Sequence, residues 1–173
     1  GKSAHGSMPD LGINAIAKTM RETEGKFADF YNEMIGETVD GRLLGCYLND
    51  KESGVITINP GIIYSDDCFI NLTLDIRYPI SYTQEDVVSR ISQSVSKYDI
   101  SVEILGGDIP VYTDRESEFI KSLMYAYRTV TGDYSSTPVA MGGGTYSKAM
   151  EHIVAFGPMF PGRECTEHQP DEY

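Results

Sequence analysis

Between Val55 and Tyr78 the chain carries two β-rich runs, and they constrain its fold more than any other feature. The first is Val55-Ile56-Thr57-Ile58-Asn59-Pro60-Gly61-Ile62-Ile63-Tyr64, the second Cys68-Phe69-Ile70-Asn71-Leu72-Thr73-Leu74-Asp75-Ile76-Arg77-Tyr78. Both are rich in β-branched residues, and the second alternates apolar with polar side chains, the period of a half-buried strand. Ser65-Asp66-Asp67 between them reads as the turn of a hairpin. On either side the pattern changes to helix. Ile13, Ile16, Ala17, Met20, Phe27, Phe30, Tyr31 and Met34 recur mostly at three- and four-residue steps, with Gly25 breaking them into two helical pieces. After the hairpin, Thr83-Gln84-Glu85-Asp86 has the form of an N-cap with acids in the first turn, and Val87, Val88, Ile91 and Val95 form an apolar stripe. Ile100 to Leu105 then returns as a predicted strand, ended by Gly106-Gly107.

The predicted order to this point is helix, strand, strand, helix, strand: a split βαβ, ferredoxin-like unit without its first strand. Such a layer has an unpaired edge and an open apolar face, so the chain is expected to be cut at its amino end. Pro110 marks a boundary. Beyond it a helix is predicted from about Glu116 to Thr131, capped by Gly132, with Phe119, Ile120, Leu123, Met124, Ala126 and Tyr127 as its buried stripe. The glycines of Met141-Gly142-Gly143-Gly144-Thr145-Tyr146 open a further short helix, and Ile153 to Phe156 reads as a short buried strand. The class is α+β, divided into 1–108 and 109–173.

Charge and cysteine usage narrow the function. Fourteen basic against 26 acidic residues leave a formal charge of −12, which repels phosphate backbones and anionic lipid alike. Neither nucleic acid nor membrane is an expected partner, and no apolar run is long enough to span a bilayer. Cys46, Cys68 and Cys165 are too few and too widely spaced for a disulfide framework or a cysteine zinc knuckle. A reducing compartment, the cytoplasm, is the expectation.

Four places carry candidate chemistry. His5 lies in the polar loop 1–10, where an imidazole between small residues can titrate or donate a hydrogen bond; an isolated loop histidine is more often a plain surface residue. Arg77 ends a strand on the phase opposite Ile76, and its planar fork suits bidentate capture of a carboxylate, against the alternative of a solvated arginine. Gly142, Gly143, Gly144 and Thr145 offer bare backbone N–H groups to an anion. That stretch lacks the Gly-Lys-[Ser/Thr] of a phosphate loop, so a carboxylate is the better candidate, although a tight turn explains three glycines equally well. His168 sits among Glu164, Glu167, Asp171 and Glu172, but one histidine with scattered carboxylates is not a metal site. His152 reads as a helix-end histidine.

Taken in order, these stretches resemble one family. Gly1-Lys2-Ser3-Ala4-His5-Gly6 with Pro9, Gly12, Asn14 and Ala15; Asn71 to Pro79; Met141 to Tyr146; Ala155-Phe156-Gly157-Pro158 with Phe160-Pro161-Gly162; and His168 to Glu172 are similar to the peptidase V-like zinc dipeptidases, of the larger aminoacylase and carnosinase group. The resemblance implies an α/β catalytic domain holding two zinc ions and an inserted lid domain. Residues 1–108 would be an incomplete ferredoxin-like lid and 109–173 the C-terminal part of the catalytic domain. It further implies that His5 hydrogen-bonds the oxyanion of the tetrahedral intermediate, a role worth about 3 kcal/mol. Arg77 and the Gly142 to Thr145 loop would hold the substrate's C-terminal carboxylate, and His168 would be a zinc ligand.

The chain departs from that family in what it lacks. The His-x-Asp, the bridging Asp, the Glu-Glu pair and the further Asp of the family have no counterpart here, since Asp66-Asp67 lies in a turn and Glu85-Asp86 at a helix start. The expectation is therefore a fragment of a zinc-dependent dipeptidase that alone binds no zinc pair and cleaves nothing. The alternative is a non-catalytic module binding a small carboxylate or peptide through Arg77 and the glycine loop.

Overall fold

The computed structural model describes residues 1–143, 146–149, 153–157 and 162. It is a mixed α+β structure whose backbone divides into two compact units, Gly1–Pro110 and Val111–Tyr173.

The first unit is built around the expected hairpin. Strands Asn49–Asp50 (β1) and Gly54–Val55 (β2) form a small antiparallel pair. Thr57–Ser65 (β3) and Ile70–Arg77 (β4) form the main one, with Ile58 opposite Ile76, Asn59 opposite Asp75 and Thr57 opposite Arg77. The Asp66 carboxylate closes the turn by accepting from the N–H groups of Cys68 and Phe69. The register shifts between Pro60 and Ile62, where a residue without an N–H is tolerated because the ladder is already interrupted.

Helices Ala15–Glu22 (α1), Lys26–Met34 (α2) and Gln84–Val95 (α3) bury their apolar stripes with the hairpin face that carries Ile56 and Ile58. Gly25 separates α1 from α2, and α3 begins at the expected Thr83 N-cap, which the structure completes as a capping box: Thr83 Oγ1 accepts from Asp86 N while the Asp86 carboxylate accepts from Thr83 N. The core is completed by Leu44, Cys46 and Leu48 from the connection after α2. Gly41 makes that connection possible: its φ is +70°, and a Cβ there would stand 2.7 Å from the Cys46 carbonyl oxygen. The same loop takes up the outer edge of the hairpin, since Ile58 N–H donates to Val39 O at 2.7 Å and Ile56 N–H to Leu48 O at 2.9 Å.

Three expectations are corrected. Ile100 to Leu105 is irregular backbone, not a strand. Among the described residues β4 pairs only with β3, so this segment has no ladder to join, and β-propensity alone does not supply one. Ile104 and Leu105 are correspondingly exposed. In the second unit, helix Glu118–Thr131 (α4) carries the expected Gly132 cap plus a Ser117 N-cap, but only Ile120 of its stripe is buried, and Phe119 and Ala126 face out. Ile153 to Phe156 is irregular backbone, not a strand. Cys46 and Cys68 are free thiols, and no helix among the described residues is long and apolar enough to cross a membrane.

Two residues of the first unit allow direct tests. Asn14 caps α1 by accepting from Ala17 N, and its Nδ2 donates to Asn59 Oδ1 at 3.1 Å and Pro60 O at 2.8 Å. A cap is worth about 1 kcal/mol and each further hydrogen bond about as much. Asn14→Ala is therefore expected to cost about 2–3 kcal/mol in denaturant unfolding, and Asn14→Asp, which keeps the cap and loses both donors, less.

Tyr31 is fully buried with its hydroxyl unpartnered among the described residues, and burial pushes its pKa up to about 12. The unfolded chain releases this proton near the ordinary value of 10.0, so above that pH the folded state holds more protons and stability falls as pH rises towards 12. The loss approaches ~3 kcal/mol. Tyr31→Phe is expected to remove that alkaline loss and to leave neutral-pH stability equal or higher, measured by urea unfolding across the pH range.

Candidate functional site

The alternation of the hairpin gives it a second, polar face. Ile58 and Ile76 point to the core, so their neighbours Thr57, Asn59, Asp75 and Arg77 stand on the opposite side, paired across the strands. Over this face lies the segment that carries His5. Lys2 and Ile13 exchange both backbone hydrogen bonds at 2.9 Å, which closes residues 2–13 into a loop anchored at its far end by Asn14 on Asn59 and Pro60. A 3₁₀ turn, Pro9–Leu11, with proline in its first turn, shapes the return.

Between the loop and β3 lies an open cleft of about 220 Å³, lined among others by Lys2, His5, Asn14 and Asn59. His5 is half-buried there. Its Nδ1 accepts from Ser7 N at 3.2 Å and stands 2.7 Å from Ser7 Oγ, while its carbonyl accepts from Met8 N at 2.9 Å.

Arg77 is ion-paired within its own strand. Nη2 donates to Asp75 Oδ2 at 3.2 Å, and Nε lies 3.0 Å from Oδ1 but is not aimed at it, so this buried donor is left without a hydrogen bond. With both side chains about two-fifths exposed (38% and 42%), the pair is worth at most about 1 kcal/mol of stability. Its effect is orientation: Asp75 occupies the Nε–Nη2 side of the fork and leaves Nη1 to face elsewhere. The Thr57 hydroxyl, opposite Arg77 in the ladder, is a second buried polar atom without a partner among the described residues.

Gly6 joins the two features. A Cβ on it would stand 2.7 Å from Asp75 Oδ2 and 4.0 Å from Arg77 Nη2. The backbone next to His5 is thus seated on the Asp75–Arg77 pair, and two candidates 72 positions apart in sequence come to one face of the hairpin. No role was expected of Gly6, Ser7 or Asp75. The spacing Asp-x-Arg within a strand, which puts both side chains on one face, was the available signal.

The remaining candidates lie in the second unit. Gly142 and Gly143 are irregular backbone, and the residues beyond form a three-residue 3₁₀ turn, Tyr146–Lys148, in place of the expected short helix. Gly144, Thr145, His152 and His168 lie outside the described residues. Among the described residues no three His, Cys, Asp or Glu side chains converge on a point that could hold a metal ion, so the described part of the chain provides no zinc ligand set.

No family model matches the chain. Compared with curated proteins, it is 32% identical over its whole length to a Staphylococcus haemolyticus protein named "putative dipeptidase", 31% to one so named from Staphylococcus epidermidis and 31% to one from Staphylococcus aureus. The whole chain is similar to part of these dipeptidase-named proteins. It spans 39% of the length of each.

The seat of Gly6 makes a testable claim about the site. Gly6→Ala forces a methyl against the Asp75 carboxylate, which cannot retreat without releasing Arg77. The substitution is expected to cost up to about 1 kcal/mol in unfolding, the most that release of this exposed pair can cost, and to shift the Arg77 guanidinium resonances. Combined with Asp75→Ala it is expected to be non-additive by at least about 0.5 kcal/mol, the coupling of residues in contact.

Proposed function

We propose that this chain is the substrate-gripping portion of a zinc-dependent dipeptidase acting on dipeptides with a free C-terminal carboxylate. The observation that carries the reading is the seating of Gly6 on Asp75 and Arg77, which brings a hydrogen-bond donor loop and a guanidinium to one face. In this reading Arg77 takes the substrate carboxylate through the part of its fork that Asp75 does not occupy. His5 donates to the carbonyl oxygen as it acquires negative charge. Holding the carboxylate and the scissile carbonyl together fixes the bond one residue from the C-terminus relative to the donor. By the resemblance, Gly142, Gly143, Gly144 and Thr145 would offer backbone N–H groups to a carboxylate, and His168 would be a zinc ligand.

Zinc dependence rests on the resemblance and on His168, and the other ligands would come from parts of the enzyme outside these 173 residues. The isolated chain is accordingly proposed to be inactive. The free thiols Cys46 and Cys68 suit a cytoplasmic enzyme.

The test is steady-state kinetics of a full-length enzyme on dipeptides and on their C-terminal amides. Loss of a charge-assisted pair costs about 1.5–3 kcal/mol, so Arg77→Met is expected to raise KM for dipeptides roughly tenfold to a hundredfold and to leave the poor cleavage of the amides unchanged. Equal cleavage of acids and amides by the unaltered enzyme would contradict the reading. Tight, metal-free binding of dipeptides by the isolated chain in calorimetry would replace it with the binding-module reading.

A further inference from the structure

We infer that the cleft between the His5 loop and β3 takes a carboxylate, that of an acidic side chain on the last residue of the substrate. The assignment to the substrate deepens the proposed function and rests on it. Hydrogen-bond accounting carries the chemistry. Ala17 N can only donate, so the Asn14 atom it meets is Oδ1, and the group that reaches Pro60 O and Asn59 is Asn14 Nδ2. The Asn59 atom 3.1 Å from it is therefore the oxygen. What Asn59 brings to the cleft it lines is Nδ2, whose two hydrogens have no partner among the described residues.

The acceptors around it are spent. The carbonyls of Lys2 and Ile13 take each other's N–H groups, that of Pro60 takes Asn14 Nδ2, and those of His5 and Pro9 take Met8 N and Gly12 N. Lys2 also lines the cleft, and its ammonium has no hydrogen bond or ion pair among the described residues. No described Asp or Glu lines it, in a chain that has 26 of them. A cation and an amide donor with no competing anion suit a carboxylate.

Position says whose carboxylate it is. Asn59 is paired with Asp75 and lies diagonal to Arg77 on the polar face, about 7–8 Å away. In the proposed function Arg77 holds the terminal carboxylate of the substrate, and His5, which also lines the cleft, meets the scissile carbonyl. The last residue of the substrate lies between those two groups, which brings its side chain beside Asn59. The cleft, about 220 Å³, is several times the volume of a water molecule, about 30 Å³, and has room for a short acidic side chain.

Two measurements test this. In NMR of the 173-residue chain, glutarate, a dicarboxylate, is expected to shift the Asn59 side-chain amide saturably, and its uncharged diamide to leave it in place. Lys2→Met is expected to weaken that binding about fivefold, the loss of one exposed charge pair. Asn59→Asp, which keeps an oxygen for Asn14 and sets a charge in the cleft, is expected to abolish it, read at the Lys2 resonances. An Asn59 amide that does not respond, or responds equally to the diamide, overturns the proposal, and so does unchanged affinity in both variants. A full-length enzyme is expected to favour Ala-Glu over Ala-Gln in kcat/KM, with the preference falling about fivefold in Lys2→Met. Equal kcat/KM for the two beside a positive titration gives the cleft to a free carboxylate and overturns the assignment to the substrate. If neither dipeptide nor any other is cleaved, the proposed function fails, while the titration still decides what the cleft binds.

Discussion

The two-faced β3–β4 hairpin is the constraint on which the rest of the first unit depends. Period-two alternation sends Ile56, Ile58 and Ile76 to the side where α1, α2 and α3 pack, and sends Thr57, Asn59, Asp75 and Arg77 to the other. A slip of one residue would exchange the faces, burying the arginine and exposing the isoleucines. Burial of the apolar face therefore fixes the position of the polar one. The energy that stabilises the fold and the chemistry that the site offers are set by the same register.

Placing the His5 loop on that face takes little energy and a specific chain. Asn14 serves three groups at once, capping α1 and donating to Asn59 and Pro60, so the start of the helix and the end of the loop are fixed by one side chain. Gly6 then allows the backbone to approach the Asp75 carboxylate more closely than any other residue would. The Asp75–Arg77 pair is too exposed to stabilise the fold by much. It holds the guanidinium in one orientation, which is what recognition of a planar carboxylate needs.

Much of this was legible in the sequence because the signals are local. The hairpin with its turn at Ser65-Asp66-Asp67, the Gly25 break, the Thr83 N-cap and the Gly132 cap are each carried by a few adjacent residues and formed as expected. Ile100 to Leu105 shows the limit of such reading: a strand needs a neighbour, and its composition says nothing of whether one is present. The stripe of α4 was overestimated for a related reason, since a helical face is buried only as far as something covers it. At the site, His5 and Arg77 stood out by residue type and by their resemblance to known motifs. Their juxtaposition did not, because it passes through Gly6, a residue with no side chain to announce the contact.

The central claim is that the His5 loop and the Asp75–Arg77 pair are one structure. Nuclear Overhauser contacts from the α-protons of Gly6 test it most directly, measured on the folded chain at neutral pH. The account predicts contacts to the β-protons of Asp75 and to the guanidinium protons of Arg77, alongside those that report the Lys2–Ile13 pairing. Their absence in a sample that still shows the Lys2–Ile13 and β3–β4 contacts would mean that the loop closes on itself without resting on the hairpin, and the site as described would not exist.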